Sequence, residues 1–139
     1  MAKIRVGVAG YGTIGMRLAD GVAMQGDMEL VGIADLAPTL SLRALREQDM
    51  IGANGVEYKL YLVDGADKEA FAKADIPVAG TFEELCKNVD IMLDSSPGGV
   101  GAKNKENYYE KYGVKAIFQG GEKNSVADVF FHGYANFEK

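Results

Sequence analysis

Short apolar runs alternate with stretches of helical spacing along this chain. Residues 4–9 carry Ile4, Val6, Val8 and Ala9, interrupted only by Arg5 and Gly7, which suits a strand buried on both faces. The run stops at glycines. Over residues 13–24, Ile14, Leu18 and Val22 recur at every fourth position with Met16, Ala19 and Ala23 beside them, the stripe of a helix laid on a sheet. Residues 29–34, with Leu30, Val31 and Ile33, predict the next strand and lead directly to Asp35. Together these segments read as strand, glycine turn, helix, strand.

After Pro38 the spacing of Leu42 and Leu45 predicts a helix over 39–50, and residues 56–63 alternate as a strand or hairpin arm. Residues 76–79 form a short apolar stretch ending at Gly80. Thr81 and Glu84 then have the spacing that satisfies free amides at a helix start, predicting a helix over 82–89. A buried strand is expected at 90–94, a helix near 103–112, a strand at 114–118 and a last strand at 126–131. Parallel neighbours require crossover connections, so this alternation predicts an α/β fold. The expected architecture is a doubly wound, mostly parallel sheet in a three-layer αβα arrangement, with residues 1–139 as one domain.

Composition narrows the function classes. A formal net charge of −5 and a pI near 4.9 argue against nucleic acid as a partner, because phosphate binding needs an excess of clustered Lys and Arg. With no run of 18 apolar residues and no signal-peptide pattern, no membrane partner is expected and the chain reads as cytoplasmic. One cysteine, Cys86, cannot form an internal disulfide.

The candidate chemistry begins at Gly10-Tyr11-Gly12-Thr13-Ile14-Gly15, a G-x-G-x-x-G string placed after a predicted strand and opening a predicted helix. That context makes the string the fingerprint of a Rossmann-type dinucleotide-binding fold. Gly10 makes the turn, Gly12 admits a pyrophosphate, and Gly15 permits close helix packing, with helix amides aimed at the anion. Asp35, at the end of the second strand, is placed to accept hydrogen bonds from adenine ribose hydroxyls, which favours NAD over NADP. Arg43 and Arg46 lie downstream, where they could turn inward toward a 2′-phosphate. The loop of Ser95, Ser96, Pro97, Gly98 and Gly99 follows a strand near the switch point and is expected on the nicotinamide side. Gln119, Gly120 and Gly121 follow the next strand in the same sense.

No catalytic constellation appears. Cys86 shares a helix face with Phe82, Leu85 and Val89 and reads as core. The one histidine, His132, reads as a surface residue, the tyrosines Tyr108, Tyr109 and Tyr112 read as packing, and no metal-ligand cluster is seen.

Four strings carry a more specific likeness. Residues 7–15, Val78-Ala79-Gly80-Thr81, Pro97-Gly98-Gly99-Val100-Gly101-Ala102-Lys103-Asn104 and Ala116-Ile117-Phe118-Gln119-Gly120-Gly121-Glu122-Lys123 together resemble the N-terminal domain of archaeal-type glyceraldehyde-3-phosphate dehydrogenase. Residues 36–75 match it poorly. The resemblance implies oxidation of a phosphorylated aldehyde with NAD or NADP and inorganic phosphate, through a cysteine thioester, in a homotetrameric full-length enzyme. It also implies contacts to the dinucleotide from Thr13, Ile14 and Gly121. The family often has lysine where Asp35 stands, so NAD is the expected cofactor and NADP the alternative. The family's Ser-Cys-Asn-Thr nucleophile motif falls beyond residue 138, so the chain is expected to bind cofactor and to be inactive alone. Homoserine or aspartate-semialdehyde dehydrogenases, and a standalone NAD-sensing module, are the rival readings.

Overall fold

The computed structural model of the chain describes residues 2–137. Its strands are β1 (Ile4–Ala9), β2 (Met28–Asp35), β3 (Leu60–Leu62), β4 (Gly80–Thr81), β5 (Ile91–Asp94) and β6 (Lys115–Phe118). They form one sheet in the order β4-β3-β2-β1-β5-β6, and every pairing is parallel. The order reverses direction at β1, with β2 on one side and β5 on the other, which opens a crevice beyond the carboxyl ends of those strands.

The helices are α1 (Thr13–Ala23), α2 (Leu40–Glu47), α3 (Lys68–Lys73), α4 (Phe82–Lys87), α5 (Val100–Asn104) and α6 (Glu110–Tyr112), the last two joined by a π-helical turn over Lys105–Tyr109. They cover both faces of the sheet. Alternate side chains of β1 part company: Val6 and Val8 join Ala19, Val22, Leu42, Leu45 and Phe71 in one core, whereas Ala9 joins Phe82, Leu85, Cys86, Met92 and Tyr109 in the other. Each fully buried Leu or Phe of these cores contributes about 1.5–3 kcal/mol. The result is the expected three-layer αβα stack.

Local chemistry explains the helix starts. Thr39, Asp67 and Thr81 cap α2, α3 and α4, each accepting the backbone amide of the third helical residue. By contrast, α1 begins at Gly12 with no side-chain cap and no acid in its first turn.

The middle and the end of the chain differ from expectation. Of residues 56–63 only Leu60–Leu62 pair in the sheet, because the segment before them turns back through an isolated Ile51–Glu57 bridge. Helix α3 was not expected, its six residues being too few for a periodic signal. The helix expected near 103–112 starts earlier, at Val100. Residues 126–131 form no strand: a 3₁₀ turn at Asn124–Val126 leads into irregular chain with Val129, Phe130 and Phe131 exposed. Strand propensity reflects the fit to a half-buried pleated surface, and this segment only runs beside the edge strand β6, bounding shallow pockets with it and pairing with no strand.

Candidate functional site

Two of the three fingerprint glycines are demanded by the protein itself. Gly10 follows β1 at φ +86°, where a Cβ would also lie 3.1 Å from the Ser95 backbone, and its amide donates to the Ala34 carbonyl at 2.8 Å. A Cβ on Gly15 would sit 1.7 Å from the Gly10 oxygen, so only glycine lets α1 lie against the turn. Gly12 is different. A Cβ there would meet no protein atom within 4 Å, and its φ of −90° suits any residue. Its carbonyl accepts the first helical bond, from Met16 at 2.9 Å. The amides of Thr13 and Ile14, both exposed, have no protein acceptor among the described residues, as the first turn of an uncapped helix dictates.

Beside this turn stands Asp35, at the end of β2. One carboxylate oxygen accepts the Tyr11 amide at 2.8 Å and the other the Leu36 amide at 2.7 Å, which leaves lone pairs on both for a further donor. The Thr39 hydroxyl donates to the Tyr11 carbonyl at 2.9 Å. The Tyr11 ring turns away from the turn into the core, edge-on to Tyr58 at 6.4 Å between centroids. Burial, aided by Asp20, pushes its hydroxyl up to about 12. Arg46 is held elsewhere, with its guanidinium on Asp75 at 2.6 Å and Asp49 at 3.3 Å. Arg43 donates from Nε to the Pro38 carbonyl at 3.2 Å.

Across β1, the loops after β5 and β6 lock together. Ser95 donates its hydroxyl to the Gly10 carbonyl at 2.8 Å. A Cβ on Gly120 would lie 2.1 Å from the Ser96 oxygen, and one on Gly98 would lie 3.0 Å from the Gly121 oxygen. The Gln119 amide donates to the Asp94 carbonyl at 2.8 Å, and Glu122 accepts the Gly101 amide at 2.8 Å. Ser96 is buried, while Pro97 and Gly98 are exposed at the rim.

The residue that organises this side is one the sequence reading passed over. Asp94, the last residue of β5, is 1% exposed. It accepts the Ser96 amide at 2.9 Å, the Asn104 side-chain amide at 3.1 Å and the Tyr109 hydroxyl at 2.5 Å. A signal was present, since Asp ahead of Ser-Ser-Pro-Gly is a turn former that bonds the backbone two residues on.

The glycine turn, Asp35 and the two later loops therefore meet at the carboxyl ends of β1, β2, β5 and β6. The site is an open ledge; a groove of about 450 Å³ lined by Met24, Met28, Asn54 and Lys59 lies at the opposite end of the strands. Cys86 stays in the core, where burial, and next Asp94, push its thiol up to about 12. His132 lies exposed in the last segment, accepting the Tyr134 amide. Among the described residues no His, Cys, Asp and Glu cluster could hold a metal, and no helix is long and apolar enough to cross a membrane.

No protein-family model matches the chain. Curated proteins do. A glyceraldehyde-3-phosphate dehydrogenase of Archaeoglobus fulgidus is 45% identical over all 139 residues, which make up 38% of its own length. One of Thermococcus kodakarensis is 47% identical over 137 residues, with 99% of this chain and 38% of the relative covered. One of Pyrobaculum islandicum is 48% identical over 136 residues, 98% of this chain and 37% of the relative. The chain is thus homologous along its whole length to the N-terminal part of archaeal proteins of that name, and spans about 38% of their length.

Proposed function

We propose that residues 1–139 form the dinucleotide-binding domain of a phosphorylating glyceraldehyde-3-phosphate dehydrogenase. One observation carries the reading: α1 presents free amides at an uncapped end, above a glycine, Gly12, that no protein contact requires. Unpaired amides at the positive end of a helix dipole form an anion site, and a missing side chain at Gly12 lets a pyrophosphate approach them. The relatives' shared name favours this enzyme over the homoserine and aspartate-semialdehyde types and over a regulatory module.

In this reading Gly10 shapes the turn, Gly12, Thr13 and Ile14 hold the pyrophosphate through the backbone, and Gly15 seats the helix. Tyr11 contributes through its backbone, which fixes Asp35. Asp35 accepts from the adenine ribose. Ser95, Ser96, Pro97 and Gly98, with Gln119, Gly120 and Gly121, form the wall for the nicotinamide half. The nicotinamide, when bound, supplies the hydride acceptor. Substrate, a small phosphorylated aldehyde, and the nucleophilic cysteine belong to residues outside this chain, because Cys86 is a buried neutral thiol. Homotetrameric assembly is likewise a property we assign to the full-length protein.

NAD is the preferred cofactor. A 2′-phosphate about 4 Å from the Asp35 carboxylate meets repulsion of roughly 1–4 kcal/mol per charge pair, and Arg46 is already engaged by Asp75. Calorimetric titration with NAD and NADP tests the reading. Saturable binding is expected with NAD the tighter, and Asp35→Lys shifts the preference toward NADP. Failure of the chain to bind either dinucleotide would defeat the proposal.

A further inference from the structure

The π-helical turn at Lys105–Tyr109 has a consequence for Asp94. In an α-helix each residue advances by about 100°, so positions five apart point some 140° away from one another. A π turn closes on the fifth residue instead. Asn104 and Tyr109, five apart, therefore share a face, and both donate to the same oxygen of Asp94, at 3.1 and 2.5 Å. The other oxygen is left for the Ser96 amide. No Lys or Arg pairs with Asp94 among the described residues. This buried carboxylate is sustained by hydrogen bonds alone, and such a group is costly unless its partners are in place. Burial, and then Asp94, drive the Tyr109 hydroxyl above its ordinary value, which favours the protonated form that donates to Asp94.

The loop controlled by this clamp packs in two directions. Ser95 holds the Gly10 carbonyl of the pyrophosphate turn, and the Ser96 oxygen abuts Gly120. In the strand order, β2 with Asp35 lies on one side of β1, and β5 and β6 lie on the other. A dinucleotide crossing the switch point places its adenine half over β2 and its nicotinamide half over β5 and β6.

We infer that Asp94, clamped by Asn104 and Tyr109 across the π turn, is a positioning residue that sets the loop of Ser95 and Ser96 against the nicotinamide half of the cofactor. This rests on the proposed function and adds to it a division of labour within the site. The test is paired calorimetric titration of the chain with NAD and with ADP, which carries only the adenine half and the pyrophosphate. Tyr109→Phe, which removes one donor and little volume, is expected to weaken NAD about fivefold to tenfold. ADP affinity stays within about twofold of the unaltered chain, as expected for a contact with the other half. Tyr58→Phe, which removes a hydroxyl from the core on the opposite face, shifts NAD and ADP by a common factor. Equal losses for both ligands in Tyr109→Phe, or no loss for either, would overturn the inference. If Tyr109→Phe yields no folded protein, Asn104→Ala is held to the same expectation and the same overturning result. An unaltered chain that fails to bind NAD defeats the functional reading, and the inference falls with it. An unaltered chain that binds, with unselective variants, defeats the inference alone.

Discussion

The two sides of the ledge are built by different means. On the side of β2, backbone does the work: a left-handed Gly10, an open Gly12, a close-packed Gly15 and the free amides of α1, with Asp35 tied to the turn by the Tyr11 amide and braced by the amide of its own neighbour Leu36. On the side of β5 and β6, position depends on side chains distant in sequence, with Asn104 and Tyr109 converging on Asp94 and glycines at 98 and 120 letting two loops touch. A site shaped by local backbone leaves its pattern in a few consecutive residues. A site shaped by tertiary hydrogen bonds does not.

Four substitutions or conditions probe that contrast. The largest effect is expected from Gly15→Ala, whose Cβ would overlap the Gly10 oxygen at 1.7 Å. A loss of about 3 kcal/mol or more in chemical denaturation is expected, because both partners are backbone and neither can yield cheaply. Gly120→Ala, with 2.1 Å to the Ser96 oxygen, is expected to cost about 1–3 kcal/mol, since a loop can shift where a helix cannot. If it instead matched Gly15→Ala, the loops would be as rigid as the turn and the contrast would fail. Gly12→Ala separates binding from folding: stability is expected to change by less than about 0.5 kcal/mol, while NAD affinity falls about tenfold or more from crowding of the ledge.

The smallest effect near neutrality is a pH dependence. The Cys86 thiol ionises near 9.0 in the unfolded chain and near 12 when folded, and the Tyr11 hydroxyl near 10.0 and about 12. Both folded values are raised, so their stabilisation is complete below pH 9 and lost as pH climbs from 9 toward 12. Thermal melts across that range are expected to show a falling midpoint, and Cys86→Ala should remove the part beginning near pH 9 while leaving the part beginning near pH 10. In the native chain at pH 8, a thiol reagent should react with Cys86 far more slowly than with the denatured chain.

The sequence pattern made the first strand–turn–helix–strand unit legible nearly to the residue, because burial on both faces of β1 and the stripe of α1 impose separate periods. It also anticipated the Thr81 cap, which accepts the Glu84 amide at 3.3 Å. Residues 36–75 were less legible: β3 has three residues and α3 six, lengths at which neither period repeats often enough to be distinguished. The expected strand at 126–131 failed for another reason. Its apolar residues were read as if a sheet surface awaited them, yet Phe130 is 72% exposed. Asp94 was missed because its meaning depends on residues ten and fifteen positions later in the chain, joined only by a turn whose period no helical template contains.

That turn also makes the site sensitive to a kind of change other than substitution. Removing a single residue between Asn104 and Tyr109 would convert the π turn into ordinary α-helix and improve its backbone hydrogen bonding. It would also set the two donors four apart, about 40° from one another on one face, so their shared grip on Asp94 would survive. A one-codon deletion there is therefore expected to be quiet in cofactor binding, whereas a one-codon insertion, which in an α-helix turns the two donors about 120° apart, is expected to be conspicuous.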